Sequence, residues 1–154
     1  MKLKDLLIAV SIVALVLLSP LTISGETLEV ISSLEAPMPV IAGNVTYLTG
    51  GIGASEAESI RAIAKNYPLE IVFVQKLDLK EEFLAEVKVK IEDRHQNLIL
   101  DITTEGPYLL ANLPKGHYQI IAEYNGNVKQ QWVNVGDINN KKSKHKKVVF
   151  WWPI

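Results

Sequence analysis

Phe83-Leu-Ala-Glu-Val-Lys-Val-Lys-Ile-Glu-Asp-Arg94 is the stretch that decides the fold. Val87, Val89 and Ile91 fall on one face of an extended chain, while Glu86, Lys88, Lys90 and Glu92 fall on the other. Strict period-two alternation of this kind predicts an antiparallel strand over 83–91 with one face in a core and one in water. Asp93 to Asn97 then turns the chain, and Leu98, Leu100 and Ile102 form the inward set of the next strand. Thr104-Glu-Gly-Pro107 turns again before a short strand, Tyr108 to Ala111, and Leu113-Pro-Lys-Gly116 makes another tight turn. Tyr118, Ile120, Ala122 and Tyr124 alternate up to Asn125-Gly126, a strong hairpin signal, and Val128 to Val135 returns.

Working outward, Leu69 to Gln75 is a β-rich run, Gly136 to Lys144 a polar loop and Lys146 to Trp152 a last strand. Upstream, Val45 to Leu48 reads as a short strand, and Ser55 to Asn66 as a helix with Ala57, Ile60, Ile63, Ala64 and Tyr67 on its apolar face. Ser55 with Glu58 has the spacing of a capping box, and Pro68 stops the helix. The expectation is a mainly β chain folded as a seven-stranded antiparallel Greek-key sandwich with one short N-terminal helix. Residues 25–43, with Ser32-Ser33 and Pro37-Met-Pro39, read as a flexible or extended leader, residues 44–68 as the short strand and capped helix, and residues 69–154 as the sandwich.

The N-terminus reads as an address. Lys2 and Lys4 precede thirteen uncharged residues, Leu6 to Leu18, Ser19-Pro20 closes the run, and Thr22 and Ser24 offer a small-x-small cleavage site. This is the pattern of a secretory signal peptide over residues 1–24, cut after Ser24 or Gly25, which places the protein in the periplasm or outside the cell. The alternative is an uncleaved inner-membrane anchor, but a helix of that run covers only about 20 Å of a hydrocarbon core about 30 Å thick. The chain has no Cys, which removes lipoprotein anchoring, Cys nucleophiles, Cys zinc sites and iron–sulfur clusters.

The run Ala85 to Val135 resembles the carboxypeptidase regulatory-like domain, a transthyretin-like (prealbumin-like) sandwich. The residues that carry the likeness are A-E-V-K-V-K-I-E-D-R from Ala85, T-E-G-P-Y from Thr104 to Tyr108, and L-P-K-G-H-Y from Leu113 to Tyr118, leading to Asn125-Gly126. With Y-L-T-G-G-I-G, a capped helix and an aromatic C-terminus, the chain looks like a group of small exported bacterial proteins of unknown function. The resemblance implies a seven-stranded accessory fold rather than a peptidase.

None of His95, His117 and His145 has a carboxylate at the H-x-x-E spacing of a zinc peptidase, so no catalytic, cofactor or metal residue is expected. The chain ends Val149-Phe-Trp-Trp-Pro-Ile154 and not in the Y-R-G-S of the purine-degrading hydrolase that shares the transthyretin-like fold. Gly50-Gly-Ile-Gly53 precedes a helix whose first turn already holds Glu56 and Glu58, which oppose a phosphate. Asn44-Val45-Thr46 is an isolated sequon match.

Charge is segregated beneath a formal net charge of −1. Residues 25–60 carry five Glu and no basic residue, whereas 128–154 carry six Lys and one Asp. The candidate binding residues are therefore Lys141, Lys142, Lys144, Lys146 and Lys147, with Trp151 and Trp152 as aromatic platforms. The functional expectation is a non-enzymatic exported module that binds protein in the periplasm or envelope, the alternative a binder of carbohydrate or anionic surfaces. No cofactor and no nucleic acid is expected, and a membrane contact only through an uncleaved signal segment.

Overall fold

A computed structural model describes residues 37–78, 80–137 and 145–153. These all fall within one compact unit, Ser32–Ile154. The expected signal peptide and residues 25–36 of the leader lie outside the described residues. No helix among the described residues is long and apolar enough to cross a membrane.

The chain is mainly β and builds two sheets, with ten strands among the described residues where seven were expected. In order they are β1 (Val40–Ala42), β2 (Val45–Gly50), helix α1 (Ala54–Ile63) with a 3-10 turn at Ala64–Asn66, β3 (Leu69–Leu77), β4 (Lys80–Phe83), β5 (Lys88–Asp93), β6 (Leu98–Thr103), β7 (Tyr108–Asn112), β8 (Gly116–Tyr124), β9 (Asn127–Val135) and β10 (Lys146–Pro153). The larger sheet runs β1-β2-β7-β3-β10, with β4 added to the far end of β3, and the smaller runs β6-β5-β8-β9. The expected all-antiparallel arrangement is broken once, because β10 pairs parallel with β3, from Lys146 against Leu69 to Pro153 against Lys76.

β3 explains the layering. Its run Leu69-Glu-Ile-Val-Phe-Val74 is nearly continuous in apolar residues because both faces are covered. Leu69, Ile71 and Phe73 enter the core between the sheets, with Val87, Val89, Ile91, Ile120, Phe150 and Trp152. Val72 and Val74 face the other way, into a second cluster where Ile60 and Ala64 of the helix pack on Leu48, Tyr108 and Leu110. The helical face read from the sequence is the one that is buried. The capping box is not formed: the helix begins at Ala54 after Gly53, no side chain caps it, and Ser55 lies in the first turn, its carbonyl accepting a 3.0 Å bond from Ser59 Oγ.

Two local departures have physical causes. The strand expected over 83–91 is two strands in different sheets, divided at Glu86, whose φ of 59° breaks the extended chain. There Leu84 N donates to Phe73 O of the larger sheet and Glu86 N to Thr104 O, beside the smaller sheet's β6. The second concerns β6. A register shift between Ile91 and Glu92 displaces its start, so Leu98 is 57% exposed although Leu100 enters the core as expected. The β8–β9 hairpin closes through Asn125 and Gly126, both at positive φ, the two-residue turn that Asn-Gly predicts. Gly106 is required for a different reason: a Cβ there would collide with the backbone of Gly50.

Candidate functional site

Of the candidate residues read from the sequence, Lys146, Lys147, Trp151 and Trp152 lie on β10. Lys141, Lys142 and Lys144 lie outside the described residues. Lys146 and Lys147 are exposed at the head of the strand. Alternation along β10 then sends Val148, Phe150 and Trp152 into the core and Val149 and Trp151 to the outer face. Trp152 is therefore not a binding platform. It is 2% exposed, packs near Phe73, Phe150 and Tyr124, and donates from Nε1 to the carbonyl of Asn127 at 3.0 Å. Trp151 is the accessible one of the pair, 49% exposed.

Trp151 lies in register with Val74, and Val74 on its other side with Phe83 of β4. Val149 lies likewise beside Val72. Trp151, Val149 and Phe83 thus form an exposed apolar patch on the outer face of the larger sheet, over Val72 and Val74, with the Phe83 ring 5.9 Å from Tyr108. Cations edge the patch. Lys129 reaches from β9 to hold its Nζ 4.4 Å from the Trp151 ring centre, and Lys76 Nζ is 5.9 Å away while 3.5 Å from Glu81. β10 has β3 on one side and no strand on the other among the described residues.

At the head of β10 lies a charge cluster that sequence reasoning missed. Glu70, its side chain 5% exposed, accepts Lys147 Nζ at 2.8 Å on one oxygen and His145 Nε2 at 2.7 Å on the other. His145 Nδ1 meets the carbonyl of Tyr67 at 2.9 Å. Both ring nitrogens are engaged by oxygen atoms, so neither is free for acid–base catalysis. The cluster fastens the start of β10 to β3. A glutamate in the otherwise apolar run Leu69 to Val74 was the available signal, but its partners are distant in sequence.

The other histidines sit at one end of the sandwich, beside a shallow groove of about 440 Å³ lined by Asp93, Arg94, His95, Lys115, His117 and Tyr118. Asp93 is committed to its own turn: it accepts His95 N at 2.7 Å, Asn97 N at 2.9 Å and Asn97 Nδ2 at 2.8 Å. The Asn97 side-chain bond, then its backbone N–H, holds the Asp93 carboxyl below the ordinary aspartate value. Burial, with the Asp93 charge second, raises the Tyr118 phenol, which donates to Pro114 O at 2.9 Å. Among the described residues no group of three His, Asp or Glu is placed to hold a metal ion.

Trp132 is a second accessible indole, 56% exposed on the outer face of the smaller sheet, and the sequence reading had not singled it out. It lies opposite Gln119, whose Nε2 donates to Gln130 Oε1 at 3.0 Å. No known family matches this chain, and no curated protein matches it.

Proposed function

We propose that the protein is a non-enzymatic exported β-sandwich module that binds another protein in the periplasm or cell envelope, and that its docking surface is the outer edge of the larger sheet. The observation that carries this reading is the bare patch of Val149, Trp151 and Phe83. The helix covers this face over Leu48, Val72 and Leu110 but leaves those three side chains exposed. Large apolar side chains grouped on one surface and rimmed by charge mark interaction sites. Export rests on the signal-peptide pattern of residues 1–24. The transthyretin-like, regulatory-domain reading rests on residues 85–135, which form β5 to β9 and so include the whole smaller sheet. A photo-crosslinking residue placed at position 83 or 151 tests the proposal. A discrete envelope protein captured there, and not from position 88 on the opposite face, is the expected result, and capture of nothing from either patch position overturns it.

The second reading, carbohydrate binding, loses Trp152 but is favoured at another place by Trp132, an exposed ring beside hydrogen-bonding amides. Glycan arrays with Trp132→Ala as control test it: signal that vanishes in the variant supports it, and no signal removes it.

A further inference from the structure

We propose that the docking surface takes a carboxylate-bearing extended segment of the partner, added as a new strand along the free edge of β10; this rests on the protein-binding reading above. Three observations combine. First, β10 spans eight residues and pairs as a strand with β3 alone among the described residues, so its second edge presents backbone donors and acceptors, the template on which strand addition depends. Second, the outer face beside that edge carries Val149 and Trp151, two positions apart. An added strand in register places alternate side chains against them, which supplies apolar contact on one face of the incoming segment.

Third, the charge left unpaired at the edge, on Lys129 and Lys146, has one sign among the described residues. Lys76, Lys129, Lys146 and Lys147 stand along β10 or over its indole, whereas the carboxylates paired with them are Glu70, which Lys147 and His145 share, and Glu81, at 3.5 Å from Lys76. Lys129 reaches across the open side of the sandwich to Trp151 and has no carboxylate within salt-bridge distance among the described residues. A carboxylate arriving at this edge meets that ammonium beside an aromatic ring, where desolvation strengthens the pair. The same sign argues against a second copy as occupant. Pairing β10 with itself brings the lysines of two copies together along one edge, and like charges across an interface cost affinity.

Octapeptide probes test the proposal on the purified full chain. One alternates Val and Glu, one alternates Val and Lys, and a third is the Val/Glu peptide N-methylated on alternate residues so that it cannot complete a ladder. Binding is read by quenching of Trp fluorescence and by hydrogen-exchange protection of the β10 amides. The Val/Glu peptide is expected to bind roughly tenfold or more tightly than the Val/Lys peptide and to lose that advantage in high salt. It should protect β10 amides, and Lys129→Glu should weaken it with the circular dichroism spectrum unchanged. Equal binding of the Val/Lys or the N-methylated peptide overturns the proposal, as does absence of binding at millimolar peptide. If crosslinking from positions 83 and 151 still captures a partner while the peptides fail, the strand-addition inference falls and the protein-binding reading stands.

Discussion

The outer faces of the two sheets meet water by opposite means. On the smaller sheet, alternation puts charge outward and pairs it across strands, Lys88 with Glu123 at 3.2 Å and Lys90 with Asp101 at 3.8 Å, with Gln119 bonded to Gln130 beside them. Each such exposed pair contributes about 0–1 kcal/mol, so the face is soluble without being strongly held. On the larger sheet the outward residues are Leu48, Val72, Val74 and Leu110, which need a lid, and Ile60 and Ala64 of the helix supply it. The lid leaves Val149, Trp151 and Phe83 uncovered. A face that depends on cover leaves large apolar side chains in water wherever the cover stops.

The largest effect that separates the faces is expected at Ile60. Ile60→Ala removes the fully buried centre of the helix contact and is expected to cost about 2–5 kcal/mol, read as the shift in free energy from urea unfolding. A loss below about 1 kcal/mol would mean that the helix is not the effective cover. Next comes the fastening of β10 to β3. Glu70→Gln removes the charge that His145 and Lys147 share, and a loss of about 1.5–3 kcal/mol is expected, as for hydrogen bonds to charged groups. Hydrogen exchange should then quicken first in the amides of β10. Unchanged exchange there would show that the Phe150 and Trp152 contacts alone hold the strand.

The smallest effect is expected on the wet sheet, at the solvent-exposed Asp93 carboxylate. Its pKa is lowered in the folded chain, so the stability it confers is present above the unfolded aspartate pKa and is lost as pH falls through the lower folded value. Asp93→Asn should lower Tm slightly at neutral pH and flatten the acid limb of the Tm profile. A profile parallel to that of the parent chain would show that the Asn97 bonds confer nothing.

How much was legible in the sequence follows the range of the forces involved. The Asn125-Gly126 hairpin, the alternation of β8 and the apolar face of the helix are local patterns, and the structure has them where the residues put them. The division at Glu86 was hidden by the strict alternation that follows it: Val87, Val89 and Ile91 point into the core as expected, but Phe83 belongs to the other sheet, and Leu84, buried although it has the parity of Glu86, was the one break in the pattern. β1 has three residues, too few for a period to declare itself. At the candidate site the alternation of Phe150, Trp151 and Trp152 was legible, since it required the two indoles to part. Which of them faced solvent was not, because that depends on which sheet β10 joins. Nor does any local signal join Glu70 to His145, since register between distant strands brings them together.

The parallel pairing of β10 with β3 also bears on the order in which the molecule can assemble. Leu69 waits for Lys146, and Phe73 for Phe150, 77 residues away, so the core between the sheets closes only once β10 is in place. Pairings this distant carry a loop-closure cost before any contact repays it and make folding slow. Until β10 pairs with β3 the two sheets therefore share an open, unfinished core, and their inward apolar faces stay accessible for as long as that slow step takes.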